Sequence, residues 1–551
     1  MKKILLISIT SLLVACAGQK HNNEETEVKQ VIAQQDHSPI LNQPALEAEA
    51  VQSSITVTGS RIRRASTSEL NYKKPQAYPA VPQDRENYNH FESQSVQSVL
   101  NNPVSTFSID VDTGAYANVR RMLNQGHLPP KDAVRIEEMI NYFSYDYPSP
   151  ESIQQPFLAS TEIAPSPWNP DALLLHIGIK GFEKSAQERP AANLVFLLDV
   201  SGSMNSPDKM GLLKTSLKLL SQQMTEQDRV SIVVYAGAAG VVLEPTQGNN
   251  QAKIATALDQ LTAGGSTNGA AGIHLAYQLA EQNLVKGGIN RILIATDGDF
   301  NVGTTNFESL KELVEKKRKN GVSLTTLGFG TGNYNDHLME QLADVGNGNY
   351  AYIDTIKEAN KVLVEQINST LFTIAKDVKI QLEFNPNVVS EYRLIGYENR
   401  KLNNEDFAND KVDAGEIGAG HTVTAIYEIV LNGKRGWLSD SRYQSQHETK
   451  NFTDEIAFLK IRYKQPDEDN SHLLQWPLLK KQIKNLSAVS NEFKFAAAVA
   501  AFGQLLRSGT YLKSFSYDEV LNLARTSKGE DRFGYRGEFI QLVSLAKQLA
   551  N

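Results

Sequence analysis

The chain has 551 residues, a formal net charge of −7 and a hydrophobic fraction of 41%, enough apolar material for several packed cores. Its 55 basic residues are dispersed, which excludes the clustered positive surface that a nucleic-acid partner requires. The single cysteine, Cys16, excludes an internal disulfide framework and any cysteine-based metal cage.

The N-terminus reads MKKILLISITSLLVACAGQK, with Lys2 and Lys3, an apolar stretch from Ile4 to Val14, and then small residues. It is too short for an ordinary membrane span and has the layout of a secretory signal over residues 1–15. Its ending, Leu13-Val14-Ala15-Cys16, resembles the bacterial lipobox. That resemblance implies a lipid on Cys16 and a membrane-anchored protein of the bacterial cell envelope; Ala17 after the cysteine implies sorting to the outer membrane. Residues 16–97 are polar and rich in Gln, Glu, Asn and Ser, a composition that cannot offset its ordering entropy, so a flexible tether is expected. Within it, SSITVTGSRIRR at 53–64 is either a β-prone patch or a docking segment, since it resembles the opening of the plug of TonB-dependent receptors. No series of amphipathic strands follows it, so the chain is not such a receptor.

Residues 98–150 turn globular, with a strand, a helix from Ala115 to about Asn124 ended by Pro129-Pro130, and a second helix in DAVRIEEMINYF. Two strand-like runs, FLASTEIA and ALLLHIGIKGF, fall in 151–190. Residues 191–372 alternate strand and helix: NLVFLLD, RVSIVVYA, GVVLEP, NRILIATD, VSLTTLGFG and NYAYID are the strands. A short Ala-Gly link makes the third strand antiparallel to the second, and the helical crossovers make the others parallel. From 373 to 485 the pattern changes to alternation, as in DVKIQLEFN, TVTAIYEIVL and EIAFLKIRYK, with a polar loop expected over 434–452. Residues 486–551 are helical, with the Ala-rich FKFAAAVAAFGQLL suited to close packing. The expected fold is α/β: a doubly wound, mostly parallel sheet inserted in a β-sandwich-like region, with a C-terminal helical segment.

Ligands of such a sheet bind beyond the carboxyl ends of its strands. Three loops there carry oxygen ligands: DVSGS with Asp199, Ser201 and Ser203, GGSTNG with Thr267, and ATDGD with Asp297. Carboxylates and hydroxyls without His or Cys are hard ligands, suited to Mg²⁺ or Mn²⁺. The set resembles the metal-ion-dependent adhesion site of von Willebrand factor type A domains over residues 191–372, and matches it at all five positions. The resemblance implies that Ser201, Ser203 and Thr267 touch the ion, with Asp199 and Asp297 acting largely through water. It also implies an open position for a carboxylate from a partner protein, and a cofactor that is Mg²⁺, or Mn²⁺ or Ca²⁺ in its place. The flanks, STFSIDVDTGAYANVRRMLNQGHLPPKDAVRIEEMINYF and DRFGYRGEFIQLV, resemble the regions bracketing this domain in a group of bacterial lipoproteins.

Other motifs lack a part. VDTG at 111–114 resembles an aspartic-protease turn without the second one that such an enzyme needs. Asp110 and Asp112 would open a calcium loop whose twelfth position is Arg121, where a bidentate acid belongs. GFGTGN at 328–333 lacks the last glycine of a dinucleotide fingerprint. His127, His176, His274 and His337 are scattered over unrelated elements. The expected function is therefore binding and not catalysis. An envelope assembly factor, linked to an AAA+ ATPase or a TonB-type system, and a metal-dependent hydrolase are the rivals.

Overall fold

The computed structural model describes residues 85–183, 189–298, 307–439 and 452–550. The signal segment, Cys16, the island at 53–64 and most of the expected polar loop lie outside these residues. No helix among the described residues is long and apolar enough to cross a membrane.

The chain enters through β1 (Gln97–Ser98) and β2 (Val104–Ser108), then α1 (Gly114–Asn124) and the short α2 (Ile136–Asn141). β3 (Phe157–Pro165) and β4 (Ala172–Gly181) form an antiparallel pair. The central unit follows as β5 (Ala192–Asp199), α3 (Leu212–Ser221), β6 (Arg229–Tyr235), β7 (Ala239–Gln247), α4 (Gln251–Asp259), α5 (Gly269–Gln282) and β8 (Ile289–Thr296). It closes with α6 (Phe307–Lys319), β9 (Ser323–Phe329), α7 (Asp336–Val345), β10 (Tyr350–Ile353), α8 (Ile356–Asn360) and α9 (Ile367–Leu371). Strands β11 (Thr373–Phe384), β12 (Val389–Ile395), β13 (Gly415–Gly418), β14 (Thr422–Leu431), β15 (Glu455–Lys464) and β16 (Ser471–Leu479) come next. Helices α10 (Asn491–Arg507), α11 (Tyr517–Ser527) and α12 (Tyr535–Ala550) end the described chain.

The central sheet has the order β10-β9-β8-β5-β6-β7, parallel except for β7, which returns antiparallel beside β6. Every residue of β5 and of β8 is buried, which is why both read as unbroken apolar runs: helices cover both faces. Leu194, Phe196 and Leu198 face a core shared with α3 and α4, while Val195 and Leu197 face α5 and α6. Each such side chain contributes roughly 1.5–3 kcal/mol on leaving water.

Around this unit the chain builds a sandwich from two five-stranded sheets, one ordered β1-β12-β14-β4-β3 and the other carrying β13-β11-β15-β16 with β2 against β11. Strands from both sides of the insertion pair directly, β4 with β14 from Ala172↔Val430 to Lys180↔Thr422. Ile177, Ile179 and Val423 of one sheet share a core with Ile380, Leu382 and Ile461 of the other. The C-terminal helices do not stand alone: α10 and α12 enclose Tyr116, Met139, Tyr142 and Phe143 of the N-terminal region in one core. Ser490 caps α10 by accepting the Phe493 N–H at 3.0 Å.

Buried arginines tie the N-terminal helices to the central unit. Arg120 of α1 pairs with Asp354, with Glu358 of α8 at 2.7 Å and with Glu538 of α12 at 3.1 Å. Arg135, just before α2, pairs with Glu138 and with Asp336 at the start of α7. Arg400 holds Asp110 and Asp112 at 3.1 Å each, and also pairs with Asp344 of α7. The protease-like turn is thereby structural: Asp112 also accepts the backbone N–H of Tyr350 in β10 at 2.7 Å. The expectation of a tether to residue 97 fails for residues 85–97. Glu86 pairs with Arg121 at 2.6 Å, the Arg85 and Asn87 amides donate to Gly332 and Tyr334, and β1 pairs with β12. Polar contacts order this segment, which its largely polar composition does not signal.

Candidate metal-binding rim

The parallel strands β5 and β8 end side by side, and their last residues set the site. Asp199 closes β5 and Asp297 follows β8; both are completely buried. Asp199 accepts the Ser201 N–H at 2.8 Å on one oxygen and the Thr296 hydroxyl at 2.8 Å on the other. The Asx-type turn so formed aims the next residues outward, and the Ser201 and Ser203 hydroxyls stand 3.0 Å apart. Ser201 is buried and Ser203 exposed, so the pair runs from the sheet to the surface.

The threonine loop is pinned by backbone alone: the Gly264 N–H donates to Val200 at 2.8 Å, and the Gly202 N–H donates to Gly265 at 3.0 Å. Thr267, two residues on and half-buried, lies two residues before the start of α5. Four of the five expected residues are thus gathered on the ends of neighbouring strands, and the fifth sits in a loop bonded to theirs.

Burial pushes the Asp199 carboxyl up to about 6; Asp297 adds to the rise, and hydrogen bonds from Ser201 and Thr296 work against it. Two carboxylates in one low-dielectric corner favour a cation there, and the donors are all oxygen. The residues present therefore fit a hard divalent ion.

Three participants escaped sequence reasoning. Lys209 places Nζ 2.9 Å from Asp297 Oδ2 and 2.9 Å from Asn333 Oδ1. Asn333 in turn donates to Asp297 Oδ2 at 3.2 Å. Thr296 links the two strand ends as described. Asn333 belongs to the GFGTGN run, whose failure as a dinucleotide fingerprint hid its place on the rim; strand-end position after β9 was the usable signal. Gly298 allows the contact: its φ is +84°, and a Cβ there would lie 2.3 Å from the Asn335 nitrogen. The same loop accepts hydrogen bonds from the Arg85 and Asn87 amides, at the Gly332 and Tyr334 carbonyls.

Two of the scattered histidines lie in other settings. His176 is buried in β4 against the Tyr147 hydroxyl at 2.9 Å, and burial lowers it to about 4, so it stays neutral. His337 contacts Gln341 within α7. A separate trio, Asp377, Asp413 and Glu416, brings carboxylate oxygens within 4.8 Å of one another on the sandwich. Lys464 pairs with the first and Arg318 with the second.

Comparison with known proteins agrees with this layout. The family model described as von Willebrand factor type A domain matches residues 193–368, and one described as von Willebrand factor matches 82–176. A third, described as "Uncharacterized protein YfbK, C-terminal", matches 369–549. YfbK of Escherichia coli (strain K12) is 49% identical over 467 residues, which span 83% of this chain and 80% of that protein. Inter-alpha-trypsin inhibitor heavy chain H4 of Homo sapiens is 30% identical over 146 residues, 25% of this chain and 16% of that one. Among solved structures, "von Willebrand factor type A from Catenulispora acidiphila" covers 70% of this chain and 89% of its own, at 14% identity and a TM-score of 0.39. That overlap is too loose to add to the assignment.

Proposed function

The chain belongs to the family of the Escherichia coli protein YfbK, with a von Willebrand factor type A domain at its centre, and from that premise we propose that its rim holds a divalent ion through which it binds an acidic side chain of a partner protein. Type A domains are typically protein-interaction modules. Mg²⁺ is the first candidate ion, with Mn²⁺ or Ca²⁺ as substitutes. Ser201, Ser203 and Thr267 would hold it, and Asp199 and Asp297 would balance its charge from beneath. When bound, the ion supplies an oxygen-seeking position at the surface.

One observation carries the reading: two fully buried carboxylates on adjoining strand ends, with the Ser201 and Ser203 hydroxyls leading from them to solvent. Lys209 offsets one of the two charges, and a divalent ion would offset the other and create the binding position. The lipobox-like ending at Cys16 supports the rest of the proposal, that the protein is lipid-anchored in the bacterial envelope, at the outer membrane. The role is binding and not catalysis.

Immobilised protein should retain a partner from envelope extract in Mg²⁺ and release it on chelation, whereas Asp199→Ala should retain nothing under either condition. Retention indifferent to chelation would move the function to the sandwich and helices.

A further inference from the structure

The Lys209 ammonium is a built-in part of the rim. Lys209 lies in the turn Pro207–Gly211 that follows the serine loop, is 7% exposed, and directs Nζ at Asp297. Its stem runs over Gly330, where φ is +76° and a Cβ would come within 2.3 Å of the lysine Cγ and Cε. The path of the side chain thus depends on a glycine in the loop that also supplies Asn333, the second partner of Nζ. A fixed buried cation on a metal-binding carboxylate has a consequence for charge. Asp199 and Asp297 bring two negative charges and Lys209 one positive; the serines and threonine bring none. The set is −1 without a divalent ion and +1 with one. Asp208, exposed and hydrogen-bonded to Ser206, adds the same charge in both states.

We propose that Lys209 makes the rim one charge more positive in both states, so that the ion is held less tightly and the loaded rim holds an acidic side chain better. Without the lysine the set would pass from −2 to neutral: the ion would bind more tightly, and the loaded rim would hold a carboxylate less well. Lys209 therefore weakens the hold on the ion and strengthens the hold on a carboxylate, beside the ligands and not among them. The inference rests on the divalent-ion reading proposed above.

Mn²⁺ titration followed by the paramagnetic resonance of free ion tests it on the full chain. Lys209→Met keeps the stem over Gly330 and should bind Mn²⁺ about ten-fold more tightly than wild type, the size expected for removing one buried positive charge near a doubly charged ion. Lys209→Arg keeps the charge and should stay near the wild-type affinity. Lys209→Gln repeats the charge removal, and circular dichroism identifies variants that have lost the fold. Unchanged or weaker Mn²⁺ binding in Lys209→Met and Lys209→Gln overturns the role of Lys209 while leaving the ion site standing. Tightening in Lys209→Arg as well overturns it too, because packing and not charge would then be responsible. No saturable site in wild type overturns the divalent-ion reading itself.

Discussion

Arg135→Ala should destabilise the protein by about 3–5 kcal/mol, the cost of leaving buried carboxylates without their cation. Arg135 is 1% exposed, and its guanidinium lies between Glu138 and Asp336, both inaccessible to solvent. Asp336 also accepts the Tyr350 hydroxyl, and Glu138 accepts the Ala115 N–H at 2.7 Å, so neither acid can turn away to water. The loss falls where the N-terminal helices meet α7 of the central unit. Denaturant unfolding measures it. A triple change, Arg135→Met with Glu138→Gln and Asp336→Asn, should recover much of the stability because no charge remains to be desolvated. A loss below about 1 kcal/mol for Arg135→Ala, the range of an exposed ion pair, would show that this clamp does not join the two parts.

Cys16→Ser should move the protein from the membrane fraction to the soluble fraction, or leave it unprocessed. Each methylene of an acyl chain contributes about 0.8 kcal/mol on entering a bilayer, so stable attachment needs more than one chain. No helix among the described residues offers a span as a substitute. Fractionation of envelopes reads the outcome. A Cys16→Ser protein that matures and sediments like wild type would remove the lipid anchor from the proposal.

What the sequence made legible follows the range over which each interaction acts. β5 and β8 were plain because a strand buried on both faces must be apolar throughout, and Asp199-Val200-Ser201-Gly202-Ser203 was plain because its geometry is local. The insertion was legible too, since alternation before residue 190 and after 373 signalled half-covered sheets, and β4 meets β14 across it. Arg135 and Asp336 are 201 positions apart and Lys209 and Asp297 are 88 apart; ion pairs at that distance leave no periodic trace in one sequence. β16 falls within the β-rich range 373–485 although it carries a proline. Its SHLLQWPLL contains Pro477, which is tolerated because, among the described residues, β16 lies at the sheet edge beside β15. Residues 85–97 resemble a tether by composition because hydrophobicity reflects burial and is blind to ordering by Glu86–Arg121 and backbone pairing.

On the proposed reading, Asp199, Ser201, Ser203, Thr267 and Asp297 form one divalent-ion site. Direct Mn²⁺ titration of wild type and Asp199→Ala, with circular dichroism confirming that both are folded, tests it most directly. One saturable site per chain, displaced by Mg²⁺ and missing from Asp199→Ala, is the predicted result. Equal Mn²⁺ binding by the two proteins, or none by wild type, would contradict it.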